Sequence, residues 1–129
     1  MGFSVPSAPT KLTECNCSIC GRLGVLWAYY EVKDIVWERG EGTTVPYVWG
    51  DRCIEFHHCP ICGVTTHYGG VLAEGAPSDP TSRFAVNARN LPLTAPVTVR
   101  RFDGRSSWTT LAHDRQWPWP DQPDVLDGP

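Results

Sequence analysis

Cys15-Asn16-Cys17-Ser18-Ile19-Cys20 places three thiols within six residues, in the pattern C-x-C-x-x-C. Sulfurs this close can converge on one metal ion, because a tight turn aims neighbouring side chains at a common point. Zinc is the usual occupant of sulfur-rich sites, with Zn–S distances of about 2.3 Å. Three protein ligands leave a tetrahedral ion one position short, and an open position is where zinc proteins do chemistry. A second pair, Cys59-Pro60-Ile61-Cys62-Gly63, has the C-x-x-C-G form of a zinc knuckle, and Cys53 completes the set of six cysteines. How these sulfurs are shared between metals decides the fold, since a chain stapled by metal tolerates short strands and long loops.

At 129 residues the chain makes one domain with a modest core. Its net charge of −3 argues against a sequence-independent grip on nucleic acid. No apolar run approaches the roughly 18 residues that span a bilayer, so no membrane partner is expected. Met1 to Glu14 has neither a basic n-region nor an apolar h-region of a secretory signal. The expected location is therefore the cytoplasm, where thiols stay reduced. An even cysteine count allows three disulfides, but the reducing compartment and the crowding of Cys15, Cys17 and Cys20 favour metal.

Along the chain, Met1 to Thr13 is short and polar, with Pro6 and Pro9, and only Phe3-Ser4-Val5 reads as strand. Gly21 to Gly24 turns the chain into Val25-Leu26-Trp27-Ala28-Tyr29-Tyr30, an apolar run too short for an amphipathic helix and read as a buried strand. Val32 to Glu38 and Val45 to Trp49 are further strand candidates. Cys53 to His58 alternates, with Cys53, Glu55 and His57 on one face and Ile54, Phe56 and His58 on the other. Val64 to Tyr68 returns, so the knuckle sits at a hairpin tip. Gly69 to Ser82 is loop; Arg83 to Leu91 and Val97 to Phe102 are the last strands. The segment 105–129 loses periodicity and is expected to be a partly ordered, Pro/Trp-rich tail whose Trp117-Pro118-Trp119-Pro120 packs on the domain. The expected fold is mainly β, with several short antiparallel strands.

Taken in order, Glu14 to Cys20, the aromatic run after it, Tyr47-Val48-Trp49-Gly50, His58 to Gly63 and Phe84 to Leu91 carry a resemblance. Over roughly Phe3 to Gly104 the chain resembles the glutathione-dependent formaldehyde-activating enzyme family, which includes centromere protein V. That resemblance implies a zinc-stapled β-tent fold. It also implies a catalytic zinc on Cys15, Cys17 and Cys20 and a structural zinc to which Cys59 and Cys62 contribute half the ligands. The family's other half is a C-x-C-G ahead of the triad, and residues 1–14 hold no cysteine. A start downstream of that motif is the favoured expectation; replacement by Cys53 with His57 or His58, or loss of the second site, are the alternatives. Strand geometry disfavours Cys53 with His57, which would stand about 13 Å apart.

Three thiolates on Zn²⁺ leave a local charge of −1, which weakens the ion as an acid and makes a fourth thiolate a natural guest. This agrees with the substrate the resemblance implies: glutathione and its formaldehyde adduct, with carbon–sulfur lyase activity. Glutathione carries two carboxylates, which arginine suits, and Arg22 and Arg89 are the candidate substrate-binding residues. Trp27, Tyr29 and Tyr30 either line a pocket or form core. The main rival is a structural zinc module that binds another protein, with Cys15 and Cys17 pairing with Cys59 and Cys62 in a closed site and Cys20 spare; a glutathione carrier without turnover is a further alternative. Chromatin association gains nothing from the negative charge.

Overall fold

The computed structural model describes residues 1–118 apart from Asp51 and Ala73; Trp119-Pro120 of the tail motif lie outside the described residues. In chain order the elements are β1 (Gly2–Ser4), β2 (Lys11–Cys15), the single-turn helix α1 (Cys20–Leu23), β3 (Trp27–Glu31), β4 (Val36–Arg39) and β5 (Val45–Trp49). There follow β6 (Ile54–His58), β7 (Thr65–Gly70), β8 (Arg83–Asn87), β9 (Val97–Phe102) and β10 (Thr110–Trp117). Eight strands form one sheet in the order β10-β9-β2-β3-β8-β7-β6-β5, while β1 and β4 pair separately. Neighbours run antiparallel except β2 and β9, which are parallel. The chain is thus mainly β, as its short apolar runs and turn residues require. No helix among the described residues is long and apolar enough to cross a membrane.

Four elements depart from the sequence reading, the simplest being Arg83 to Leu91, which is strand only to Asn87 and then a 3-10 turn over Ala88–Asn90. Lys11-Leu12-Thr13-Glu14-Cys15 looks polar, yet it is an interior strand between β3 and β9, with Leu12 and Thr13 fully buried. Its single aliphatic side chain is enough, because backbone pairing on both sides supplies the rest. Val32 to Glu38 is not one strand: Glu31 and Asp34 form a reciprocal capping box around a 3-10 turn at Val32–Asp34, and only then does β4 begin. The segment 105–129, read as a partly ordered tail, contributes the eight-residue strand β10. This is an edge strand that is mostly exposed, so its sequence carries no buried periodicity. Trp117 at its end packs against the core around Leu12 and Val99, as the tail reading expected.

Strand alternation sorts the side chains of the large sheet into two layers. Trp27 enters one cluster with Cys20, Val25, Phe56, Tyr68 and Ala85. Its neighbour Ala28 enters the other with Leu12, Leu26, Ala88 and Val99. Trp27, only 1% exposed, is among the largest fully buried side chains, and truncating such a residue costs about 3–5 kcal/mol. Asn87 ties the layers: its Oδ1 accepts from Leu26 N and Arg89 N, and its Nδ2 donates to Thr65 O.

On the Ala28 side an aromatic stack links the two sheets. His67 stacks on Phe84 at 4.6 Å and on His57 at 4.4 Å, while Phe3 of β1 and Trp37 of β4 meet it edge-on. Thr66 Oγ1 lies 2.9 Å from His67 Nδ1. Burial, reinforced by His57, holds the His67 pKa down from 6.5 to about 3. Between these values the folded chain binds fewer protons than the unfolded chain, so stability is lost as pH falls. The expected loss from His67 is up to about 1.4 kcal/mol per pH unit, through the window from about 6.5 to about 3. Thermal unfolding against pH should show a shallower acid slope in His67→Phe than in the parent; identical slopes would remove His67 from the account.

Candidate metal centre

The triad spans the end of β2 and the start of α1. Gly21 N donates to Cys17 O at 2.9 Å and Gly24 N to Cys20 O at 3.1 Å, winding one helical turn that Gly24 ends at φ 66°. This turn brings the Sγ atoms of Cys15, Cys17 and Cys20 within 4.8 Å of one another. Sulfurs bound to one tetrahedral zinc at about 2.3 Å stand just under about 4 Å apart, a change that small side-chain rotations accomplish. Among the described residues no other His, Cys, Asp or Glu joins this group.

Each sulfur is met by N–H donors, as metal-bound thiolates require. Trp27 Nε1 donates to Cys20 Sγ at 3.3 Å, and Cys20 N points at Cys17 Sγ at 3.4 Å. The N–H groups of Cys17 and Gly104 serve Cys15. Burial pushes the Cys20 thiol up to about 12 and raises Cys15. Burial also opposes ionisation of Cys17, but the Cys20 N–H and its neighbours outweigh it and hold this thiol below its usual value. Metal binding therefore releases protons, chiefly from Cys15 and Cys20. The residues fit a divalent, thiophilic ion.

The turn between β9 and β10 clamps this cluster from outside, a feature the sequence reading did not anticipate. Asp103 Oδ1 accepts from Asn16 Nδ2 and Ser106 N, both at 3.1 Å, and its Oδ2 accepts from the backbone and hydroxyl of Ser107. The Ser107 bonds, with that from Asn16, hold the Asp103 carboxyl down at about 2. Asn16 Oδ1 in return accepts from Arg105 N at 3.0 Å. Gly104 then passes so close that a Cβ there would stand 2.5 Å from Cys15 Sγ. A side chain at this position would force Cys15 Sγ or the turn to shift.

Strand register gives the cluster a walled pocket. Thr13 pairs with both Trp27 and Arg100, and Cys15 with Phe102, so these side chains share one face. Tyr68 pairs with both Phe56 and Ala85, and Ile54 with Trp49, extending that face to the opposite rim. The result is a cavity of about 470 Å³ with the three cysteines on its floor and aromatic walls. Arg83 and Arg100 also line it. Arg83 lies 4.4 Å over the Tyr29 ring and beside the Tyr68 hydroxyl. Arg100 Nη2 reaches Thr13 Oγ1, and its buried Nε has no partner. Neither guanidinium pairs with a carboxylate among the described residues.

Arg22 and Arg89, the sequence candidates, lie elsewhere. Arg22 Nη1 donates back to Ser18 O at 2.8 Å and borders a separate cleft beside Tyr47 and His58. Arg89 Nε donates to Gly24 O at 2.7 Å, and its guanidinium sits 4.5 Å over Trp117, in a cleft reaching Cys15 and Cys20 but distinct from the aromatic pocket. The signal for Arg83 and Arg100 was parity: Arg100 and Phe102 share a strand face, as do Arg83 and Ala85. Trp27 and Tyr29 prove to be pocket wall, whereas Tyr30 turns to the other layer and donates to Ser7 O.

Cys59 and Cys62 stand at the β6–β7 hairpin tip, as expected, outside the triad group. The turn closes through Gly63 N to Cys59 O at 2.9 Å, with Gly63 at φ 77°. The N–H groups of Cys62 and Ile61 lower the Cys59 thiol, the arrangement of a knuckle ligand. Cys53 is exposed at the far end of the strand. His57 is engaged elsewhere, with Thr44 Oγ1 2.8 Å from Nδ1 and Glu55 3.1 Å from Nε2.

The fold is similar to the crystal structure of a Rhodobacter sphaeroides protein, a Northeast Structural Genomics target, at 26% identity and a TM-score of 0.56. The match covers 73% of this chain and 80% of that one, whose description names no activity. No family model matches the chain, and no curated protein matches it.

Proposed function

We propose that the chain is a zinc protein that binds small thiols at Cys15, Cys17 and Cys20 and forms or cleaves their aldehyde adducts, as a carbon–sulfur lyase would. The observation that carries this reading is the three-sulfur group on the floor of an open, aromatic-walled pocket. The order of its cysteine motifs, which resembles the glutathione-dependent formaldehyde-activating enzyme family, supports it. Bound there, zinc would supply a position for a fourth sulfur ligand and hold that sulfur as thiolate.

The chain's own residues do the rest. Trp27 Nε1 and the backbone donors fix the sulfurs. Arg83 and Arg100 offset the negative charge that gathers when a fourth thiolate joins the cluster. The aromatic walls exclude water, so a thiol and an aldehyde meet at raised effective concentration. In the cleavage direction the adduct's hydroxyl loses its proton to solvent and a carbonyl forms. The C–S electron pair leaves with sulfur, giving free aldehyde and thiolate with no oxidant consumed.

The reading is tested with zinc-loaded protein, glutathione and formaldehyde, following adduct exchange by NMR line broadening. Exchange faster than the spontaneous rate is expected. A zinc-loaded protein that binds neither glutathione nor any other small thiol, and leaves the rate unaltered, would end this proposal.

A further inference from the structure

The pocket carries more information about its guest than a bare thiol site would. Seven of its lining residues are aromatic, and two of them, Trp49 and Trp108, form the rim and remain 41% and 73% exposed. Trp108 is held there against a cost. Its φ of 57° lies in the left-handed region, which a bulky residue rarely adopts. The turn enforces it: Trp108 N donates to Asp103 O at 2.7 Å, and Asp103 is pinned by Asn16, Ser106 and Ser107. Its ring meets Phe102 edge-on at 5.0 Å, leaving the remaining surface to the pocket mouth. Strain kept at a site mouth, on a large exposed ring, points to a ring partner.

Charge narrows the class. Arg83 and Arg100 are the cations of the pocket lining, and neither has a carboxylate partner among the described residues. Against aromatic walls, a guest with one anionic group and an otherwise apolar body leaves nothing unpaired. Glutathione brings two carboxylates, an ammonium and two peptide groups, most of which would lose water without finding partners.

We propose, resting on the thiol-binding reading above, that this pocket selects thiols and thiol adducts built on an aromatic ring with one carboxylate, in preference to glutathione. The sulfur reaches the cysteine cluster and its proton leaves to solvent. The ring lies between the aromatic walls under Trp108, and the carboxylate meets Arg83 and Arg100.

The test is isothermal titration of the zinc-loaded chain with para-(mercaptomethyl)benzoate, benzyl thiol, mercaptopropionate and glutathione. Benzylic thiols keep the acidity of the sulfur close to that of alkyl thiols, so affinity differences report the pocket rather than the sulfur. The expected result is para-(mercaptomethyl)benzoate binding at least about tenfold tighter than glutathione, the ratio expected from ring contacts together with a paired carboxylate. Trp108→Ala, at an exposed position, should erase its advantage over mercaptopropionate. Arg83→Gln, also exposed, should erase its advantage over benzyl thiol. Glutathione binding as tightly as para-(mercaptomethyl)benzoate, or tighter, would overturn this selectivity and leave the thiol-binding reading standing. If no thiol in the set binds the loaded chain, both fall.

Discussion

Replacing Cys17 by serine is expected to remove one metal ion per chain and all thiol binding, whereas replacing Cys59 by serine should leave thiol binding intact and lower the melting temperature slightly. The asymmetry follows from position. Cys17 is one of three sulfurs within 4.8 Å of one another, and two remaining sulfurs hold zinc weakly. Cys59 stands outside that group at a hairpin tip, where its sulfur serves the turn's own N–H groups. Metal analysis after gel filtration, alongside a thiol titration, reads both effects. Equal losses from the two substitutions would mean that the triad and the Cys59–Cys62 knuckle share one site, against the geometry.

The second large effect is expected at a residue with no side chain. Gly104→Ala would put a methyl group 2.5 Å from Cys15 Sγ, closer than carbon and sulfur can approach. Either Cys15 or the β9–β10 turn must then move, and Cys15 belongs to the proposed metal site while the turn is fixed by Asp103. Metal affinity should therefore fall by about 10–100-fold, the range found when groups behind a metal ligand are changed. Competition with a chromophoric chelator measures it. The metal-free protein should unfold with a cooperative transition, since Leu12, Val99 and the rest of the second core layer lie on the opposite face. Unaltered affinity would mean that Gly104 merely passes the cluster without shaping it.

Much of this was written in the sequence, and what was not has physical causes. The triad, the hairpin with its knuckle and the strands at Trp27, Ile54 and Val97 announced themselves through cysteine spacing and apolar alternation. β2 and β10 did not. One is an interior strand with a single aliphatic residue, and the other an exposed edge strand; neither carries the alternating pattern that burial of one face imprints. The arginines of the aromatic pocket were missed for a related reason. Arg22 was chosen for its nearness to the triad and Arg89 for its place in the strand-like run Phe84 to Leu91, but α1 turns Arg22 back on Ser18, and Gly24 with Trp117 captures Arg89. Arg83 and Arg100 reach the pocket through the register of β8 and β9, and register needs the strand order. The clamp of Asp103 and Gly104 on the triad crosses 87 positions of chain between Asp103 and Asn16, a distance over which local pattern says nothing.

The central claim is an open metal site of three cysteines whose free position takes a thiol. Native mass spectrometry of the purified, zinc-supplied chain, with and without glutathione or para-(mercaptomethyl)benzoate, tests it most directly. The account predicts a zinc that survives in Cys59→Ser but vanishes in Cys17→Ser, together with one thiol retained only when that zinc is present. A chain that keeps its zinc in Cys17→Ser, or that holds zinc yet takes up no thiol, would contradict it.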